Sequence, residues 1–585
     1  MKKLLGLVIF SFIFASSLAW AQPQASLLIV YPPAKHQTST EKIFFIGTAP
    51  VNGQVLINGK PVKRNKAGHF SPSFPLQLGE NIFTIRHQNQ EREIKVTRLS
   101  TQPQLPDGLG FAKDSLTPSV DIARLPGELI CFSAIAPLQA NVSVKLASQT
   151  INLLPQPSKA DLPANSSILT GLNQASISNV SKYQGCTTFT NPGDLGQPQF
   201  NLTLNGQKIT QPSPGKVQIL TPGQLPVAEV TVPSGVARTG SSTDYSRLTP
   251  LPQGTRLTVT GKDGDWLRLD YGAWINGKET QTLPGAIPPQ TIIRSVASRQ
   301  VPGAMEIRFP LQIPVPVSVQ QGDNSFTLSL YNTTAQTDTI RLDDNPLISR
   351  LDWQQVTPTQ VNYTFNLKKP QQWGYKLKYE NTTLVLTLRQ PPVMGNNRRK
   401  PLSNIKILLD PGHGGKESGA SGPTGYLEKD VNLVVSKLLR DELVKRGATV
   451  VMTREDDRDV SLVERMEIIS REEPAIALSI HHNSLPDNGD AENTKGFGTF
   501  WYHTQSHSPA IFLHNYVVKK FNRPSYGVFW NNLALTRPNA APSVLLELGF
   551  MSNPDEFEQS INPQEQKKMS QALAEGITEW FKMVK

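Results

Sequence analysis

At Ser403 the texture of this chain changes, and no other feature limits its fold as much. Up to Gln390, apolar residues come in short alternating runs separated by turn residues. From Lys406 onward, short apolar runs alternate with longer segments of helical period. The apolar runs are Lys406–Leu409, Thr449–Thr453, Ile476–Ile480, Gly498–Tyr502 and Val544–Leu548; the helical segments are Glu428–Arg446, Ser461–Glu472, Ser508–Phe521 and Pro563–Met583. Strands alternating with helices predict a mostly parallel sheet covered by helices. Alternation without helical segments predicts small all-β modules. With 585 residues the chain is also too long for one core. The expected fold class is therefore multidomain: several small all-β modules, then a C-terminal α/β domain over residues 403–585. Its first helix is expected to bury Leu433, Val434, Leu438 and Leu443, and its second opens on the capping box Ser461-Leu-Val-Glu464.

Chemistry is expected at one edge of that sheet, where open α/β folds place their ligands. Ile405–Gly415 reads Ile-Lys-Ile-Leu-Leu-Asp-Pro-Gly-His-Gly-Gly, so His413 follows a strand on backbone that glycines leave uncrowded. A phosphate-binding loop is excluded: Glu417 follows Gly415-Lys416 where Ser or Thr is needed, and Asp410 stands where the first glycine belongs. Glu428 opens the first helix, while His481 and Glu547 end apolar runs. Two imidazoles and two carboxylates can thus converge. His413, Glu428 and His481 make a His₂Glu set of the kind that holds one catalytic Zn²⁺ with an open fourth position. Glu547 is the candidate general base, because an ionised carboxylate at the end of an apolar strand is costly without a cation nearby. Adjacent strand residues face opposite ways, so only one of His481 and His482 is expected to be a ligand, and the pattern alone does not choose. Arg537 and Asn483, just beyond their strands, are candidates for binding polar groups of a substrate. His503, His507 and His514 are expected at the surface.

Composition narrows the setting. The net charge of +11 suits acidic polymers as partners, but no Lys/Arg run interleaved with aromatics points to nucleic acid. Lys2-Lys3, the apolar run Leu4–Leu18 and Ala19-Trp20-Ala21 read as a signal peptide cleaved after Ala21. No later segment is long and apolar enough to span a membrane. The two cysteines, Cys131 and Cys186, lie 55 residues apart and can close a disulfide in an oxidising compartment. The alternative is two free thiols. With only two cysteines, any metal falls to His and carboxylate.

The β-region divides into segments. Residues 25–98 resemble an immunoglobulin-like sandwich, with a hairpin at Asn58-Gly59. Residues 100–222 read as a β-rich insert with linkers. Residues 227–280, with Trp266-Leu-Arg-Leu269, resemble an SH3-like barrel of the kind that binds cell-wall peptides. Residues 291–390, with a turn at Gly322-Asp-Asn324, resemble the AMIN targeting module of periplasmic amidases. Residues 391–402 read as a linker.

The closest resemblance lies in the last domain. Asp410-Pro-Gly-His-Gly-Gly415, Leu427-Glu-Lys-Asp430, Ser479-Ile-His481, Leu533–Arg537 and Val544–Asn553 resemble, in order, the motifs of zinc-dependent N-acetylmuramoyl-L-alanine amidases of the third class. The resemblance implies zinc on His413, Glu428 and His481, a catalytic Glu547, and cleavage of the amide between N-acetylmuramic acid and L-alanine in peptidoglycan. It selects His481 over His482. It also implies a periplasmic enzyme of wall remodelling or daughter-cell separation, with peptidoglycan and wall-associated or division proteins as partners. The alternatives are a non-catalytic wall-binding scaffold and a zinc peptidase of the stem peptide. Septal relatives carry a long helical insertion over the zinc; here Asn483–Lys495 reads as a plain loop, so an open site is expected.

Overall fold

The computed structural model describes residues 26–101, 109–157, 160–170, 173–177 and 181–584. The expected signal segment lies outside them. Among the described residues, no helix is long and apolar enough to cross a membrane.

The first module, 26–98, places Phe45, Val55, Ile57, Phe70, Ile85 and Val96 in one core between its sheets. Its hairpin turns at Asn58 and Gly59, both at positive φ, so that Ile57 pairs with Lys60. The second module centres on a six-stranded antiparallel sheet, in which Cys131 and Cys186 are directly opposite and joined as a disulfide. The boundary near residue 222 is softer than the sequence suggests. Ile122–Arg124 pairs with Arg256–Asp263, so one eight-stranded sheet runs from the insert into the 227–282 segment. Local composition carries no trace of such long-range pairing.

Residues 291–389 form a five-stranded and a four-stranded sheet around one core that includes Ile307, Phe309, Phe326, Phe365 and Leu386. The following segment is not a free linker, because Met394 and Leu402 are buried against the last domain. Trp373 also sits in that domain's core, stacked on Phe581 at 6.0 Å. Arg389 donates to the carbonyls of Glu473, Pro474 and Ala540.

The last domain contains β1 (Lys406–Pro411), α1 (Glu428–Lys445), β2 (Thr449–Met452), α2 (Leu462–Glu472), β3 (Ile476–Asn483), β4 (Phe497–Trp501), α3 (His507–Phe521), β5 (Ser525–Trp530), β6 (Ser543–Phe550), α4 (Pro554–Ile561) and α5 (Pro563–Met583). The sheet order is β2-β1-β3-β6-β4-β5. The β2, β1, β3 and β6 strands are mutually parallel, and β4 runs antiparallel to β6. The parallel strands are almost wholly apolar inside, as sheets covered on both faces require. The α2 helix starts on Ser461, whose hydroxyl accepts from Glu464 N–H. The stripe expected on α1 is corrected: of its four residues only Leu443 is buried, and the inward row is Val431, Val435, Leu439 and Leu443. Asn432 and Ser436 are buried beside that row, which disguises the true apolar face in the sequence.

Candidate metal centre and active site

Parallel register brings the site together. The strands β1 and β3 end at the same edge, so the loop after β1 carries His413 to His481 at the end of β3, their rings 4.9 Å apart. Glu428, the first residue of α1, lies between them. Its Oε2 is 3.2 Å from His413 Nε2 and its Oε1 is 3.0 Å from His481 Nδ1. One ligand atom from each of the three residues lies within 4.8 Å of the other two.

The close approach depends on missing side chains. A Cβ on Gly412 would strike the His481 ring, and one on Gly419, at φ +67°, would strike both Glu428 and His413. His413 itself sits at φ 59°, a left-handed conformation that a non-glycine residue keeps only when its surroundings hold it. Two buried arginines hold it. Arg454 donates to the carbonyls of Pro411 and Gly412, and Arg465 donates to those of Pro411 and His413. Arg465 also pairs at 2.6 Å with buried Asp410, which accepts from Thr453 and Ser479 hydroxyls. The sequence signal of this support is an arginine on the inward side of α2, three and four residues before Ile468 and Ile469.

Glu428 is almost fully buried. Burial opposes its charge, but hydrogen bonds from both imidazoles outweigh that and hold its carboxyl well below the usual range. Two imidazoles clamping a carboxylate are donors converged around one point, and a dication there would supply the positive charge the carboxylate needs. Glu547 is in register with His481 on the neighbouring strand. Its carboxyl is pushed well up by burial and by the Glu428 charge, and its buried Oε2 has no hydrogen-bond partner. An orphaned carboxylate oxygen beside a His₂Glu set fits a metal centre and is costly without one.

The model of one protein family, described as N-acetylmuramoyl-L-alanine amidase, matches residues 407–579. The C-terminal domain belongs to that family. The probable cell wall amidase LytH of Staphylococcus aureus is 38% identical over 192 residues, covering 32% of this chain and 63% of that protein. The chain thus spans less than two thirds of the length of these curated relatives. Among solved structures, the catalytic domain of the amidase CwlV from Bacillus (Paenibacillus) polymyxa var. colistinus is 30% identical, with TM-score 0.29, covering 31% of this chain and 99% of that one. The amidase AmiC2 of Nostoc punctiforme is also 30% identical, with TM-score 0.29, covering 30% and 97%.

Other residues of the amidase domain fall into place around this centre. His482 packs beneath the site: it is buried, its Nδ1 lies 2.8 Å from Asn432 Oδ1, and burial lowers its pKa to about 4. Asn483 is at the same sheet edge as His481, with its side-chain oxygen accepting from Ser484 N–H. Arg537 is not in the cluster. It lies in the loop between β5 and β6, at the edge where β4 and β5 end and β6 begins, whereas Glu547 faces Gly498 near the start of β4. A position just beyond a strand does not by itself mean the catalytic edge, because β4 runs antiparallel to β6. His507 is exposed as expected, but His514 is buried, bonded to Ser525 and Asn515. His503 is half-buried with its Nε2 2.7 Å from the Arg537 carbonyl, and burial lowers its pKa to about 4.

The loop between β3 and β4 holds no helix, as expected, but it is not bare. The N-terminal sandwich docks on it: Asp487 accepts from the Tyr31 hydroxyl and lies 2.9 Å from His36 Nε2, while Leu485 and Ala491 pack against Phe44 and Ile46. His69 meets Glu558 of α4 at 2.7 Å.

Proposed function

We propose that the chain is an exported, zinc-dependent N-acetylmuramoyl-L-alanine amidase that cleaves the amide between N-acetylmuramic acid and L-alanine in peptidoglycan. The observation that carries this reading is the convergence of His413, Glu428 and His481 with Glu547 beside them. The three ligands would hold one Zn²⁺, which supplies Lewis acidity toward a carbonyl oxygen and lowers the pKa of water to about 7. Glu547 accepts the proton of the attacking water and returns it to the leaving L-alanine nitrogen, so that one carboxylate serves both half-steps. The buried Asp410, Arg454 and Arg465 hold His413 in place. Asn483, at the same sheet edge as His481, is the candidate for binding a polar group of the glycan or peptide. The β-modules are read as wall-targeting elements, with the 227–280 barrel and the 291–390 module as the wall-binding candidates. The physiological setting proposed is wall remodelling or daughter-cell separation in the periplasm.

Mass spectrometry of muropeptides released by the purified protein tests the reaction. Free L-alanine amino termini are expected, whereas cleavage within the stem peptide would replace this reading with a peptidase. The metal is tested separately: elemental analysis is expected to find one zinc in the wild type and none in His413→Ala, and equal zinc in both would remove His413 from the ligand set.

A further inference from the structure

Two arginines face each other across a seam between domains. Arg247 of the 227–282 segment and Arg537 of the amidase domain line a cavity of about 650 Å³, which the 291–389 module also borders. Arg238 lies behind them, buried. Among the described residues none of the three forms an ion pair. Arg238 donates to the carbonyls of Thr243 and Tyr245, and Arg537 donates to the side chain and carbonyl of Asn532. The one carboxylate that acts on Arg247, Glu279, already accepts from Val236 N–H. Burial lowers the pKa of both Arg247 and Arg537, helped by repulsion from Arg238 on the first and from Arg247 and Arg238 on the second, which falls to about 10. Three guanidinium groups are therefore gathered here against one carboxylate, an excess of positive charge.

The walls add two further features. The hydroxyl of Tyr271, which lines the cavity, is buried with no hydrogen-bond partner, as is Nε of Arg238 outside the lining. Tyr502 and Trp530 stand together at the rim, rings 5.2 Å apart, with Trp530 61% exposed. Guanidinium groups match the two oxygens of a carboxylate or phosphate, and open aromatic faces pack on sugar rings. Because Arg537 lies at the opposite sheet edge from Glu547, an occupant here is a stretch of polymer remote from the bond being cut.

We propose that this three-domain junction is a second binding site, distinct from the metal centre, for an anionic carboxylate or phosphate group carried by the cell-wall glycan. The proposal rests on the wall-polymer reading above. Two sources offer such an anion: stem-peptide carboxylates and phosphodiester-linked wall polymers.

Co-sedimentation of the full chain with purified sacculi tests it, using Glu547→Gln as the parent so that the wall is not digested. Arg247→Gln and Arg537→Gln are each expected to weaken binding about tenfold, and the double variant more, with a shallower salt dependence. Sacculi with amidated carboxyls, or stripped of phosphodiester-linked polymers, are then offered to the parent, and the treatment that reproduces the loss names the source. Lysine at both positions keeps the charge but not the fork and is expected to bind with intermediate strength. Thermal unfolding identical to the parent's is required of every variant scored, and the lysine pair serves where a glutamine variant fails this. Binding by the variants equal to the parent's, or insensitivity to both wall treatments, overturns the proposal. Muropeptide release by the wild type is read independently, so a failure of the amidase reading remains distinguishable.

Discussion

Replacing Arg465 with methionine tests how the His413 loop is held. Arg465 and Asp410 are 2% and 1% exposed and paired at 2.6 Å. Removing one partner of a buried pair costs roughly 3–5 kcal/mol, because the remaining charge is left without compensation. The His413 carbonyl loses its only donor from α2, whereas the Pro411 carbonyl keeps Arg454. For a domain of this size each kcal/mol shifts the midpoint by about 2–4 °C, so a fall of roughly 6–20 °C is expected. The full chain can be used, because every α-helix among the described residues lies between Glu428 and Met583. The helical far-ultraviolet signal therefore reports the amidase domain alone, even though the chain as a whole is not two-state.

Acidification supplies a sign that a merely steric loss would not. In the wild type, burial pushes the Asp410 carboxyl up, but Arg465 and the Ser479 and Thr453 hydroxyls hold it below its ordinary value. A depressed folded pKa contributes stability that is present above about pH 4 and is lost as pH falls through the folded value. Without Arg465 the desolvation loses its largest offset, and the variant is relieved when Asp410 takes up a proton. The gap between wild type and variant should therefore narrow between about pH 7 and about pH 4. A shift below about 3 °C, or a gap that is constant or widens on acidification, would refute the reasoning.

Glu547→Gln keeps the size of the side chain and is expected to retain zinc while turnover falls about 10²–10⁴-fold; normal muropeptide release would remove Glu547 as the base. Replacing Cys131 and Cys186 by serine opens a crosslink spanning 55 residues and is expected to cost about 4 kcal/mol in its own module. Pulse proteolysis in urea should then show earlier cleavage within residues 109–219 while the helical transition stays in place. Asp487→Ala deletes the acceptor shared by Tyr31 and His36 and should loosen the sandwich from the amidase domain. Small-angle scattering is expected to show a larger radius of gyration, and an unchanged profile would mean that the remaining contacts hold the module by themselves.

Local pattern and long-range geometry divide what the chain discloses. The α5 helix was legible at both ends, Pro563 and Met583, because capping and period are properties of neighbouring residues. The cluster of His413, Glu428 and His481 was legible because parallel strands in covered sheets end at one edge, so "last residue of an apolar run" is already a spatial statement. That same inference does not extend to Arg537, since β4 and β5 run opposite to the other strands and their ends lie at the other edge. The strand Ser525–Trp530 has no signature in the sequence, because a glycine and a single short run of mixed aromatics give no period. Asp410, Arg454 and Arg465 were hidden for a different reason: a buried ion pair looks in sequence like surface charge until its partners, more than 40 residues apart, are seen together. The seam of Arg247 and Arg537 is the extreme case, for its residues come from separate domains. Single-sequence reading thus finds the groups a strand presents and misses those that only packing between elements brings together, which is where support and secondary binding reside.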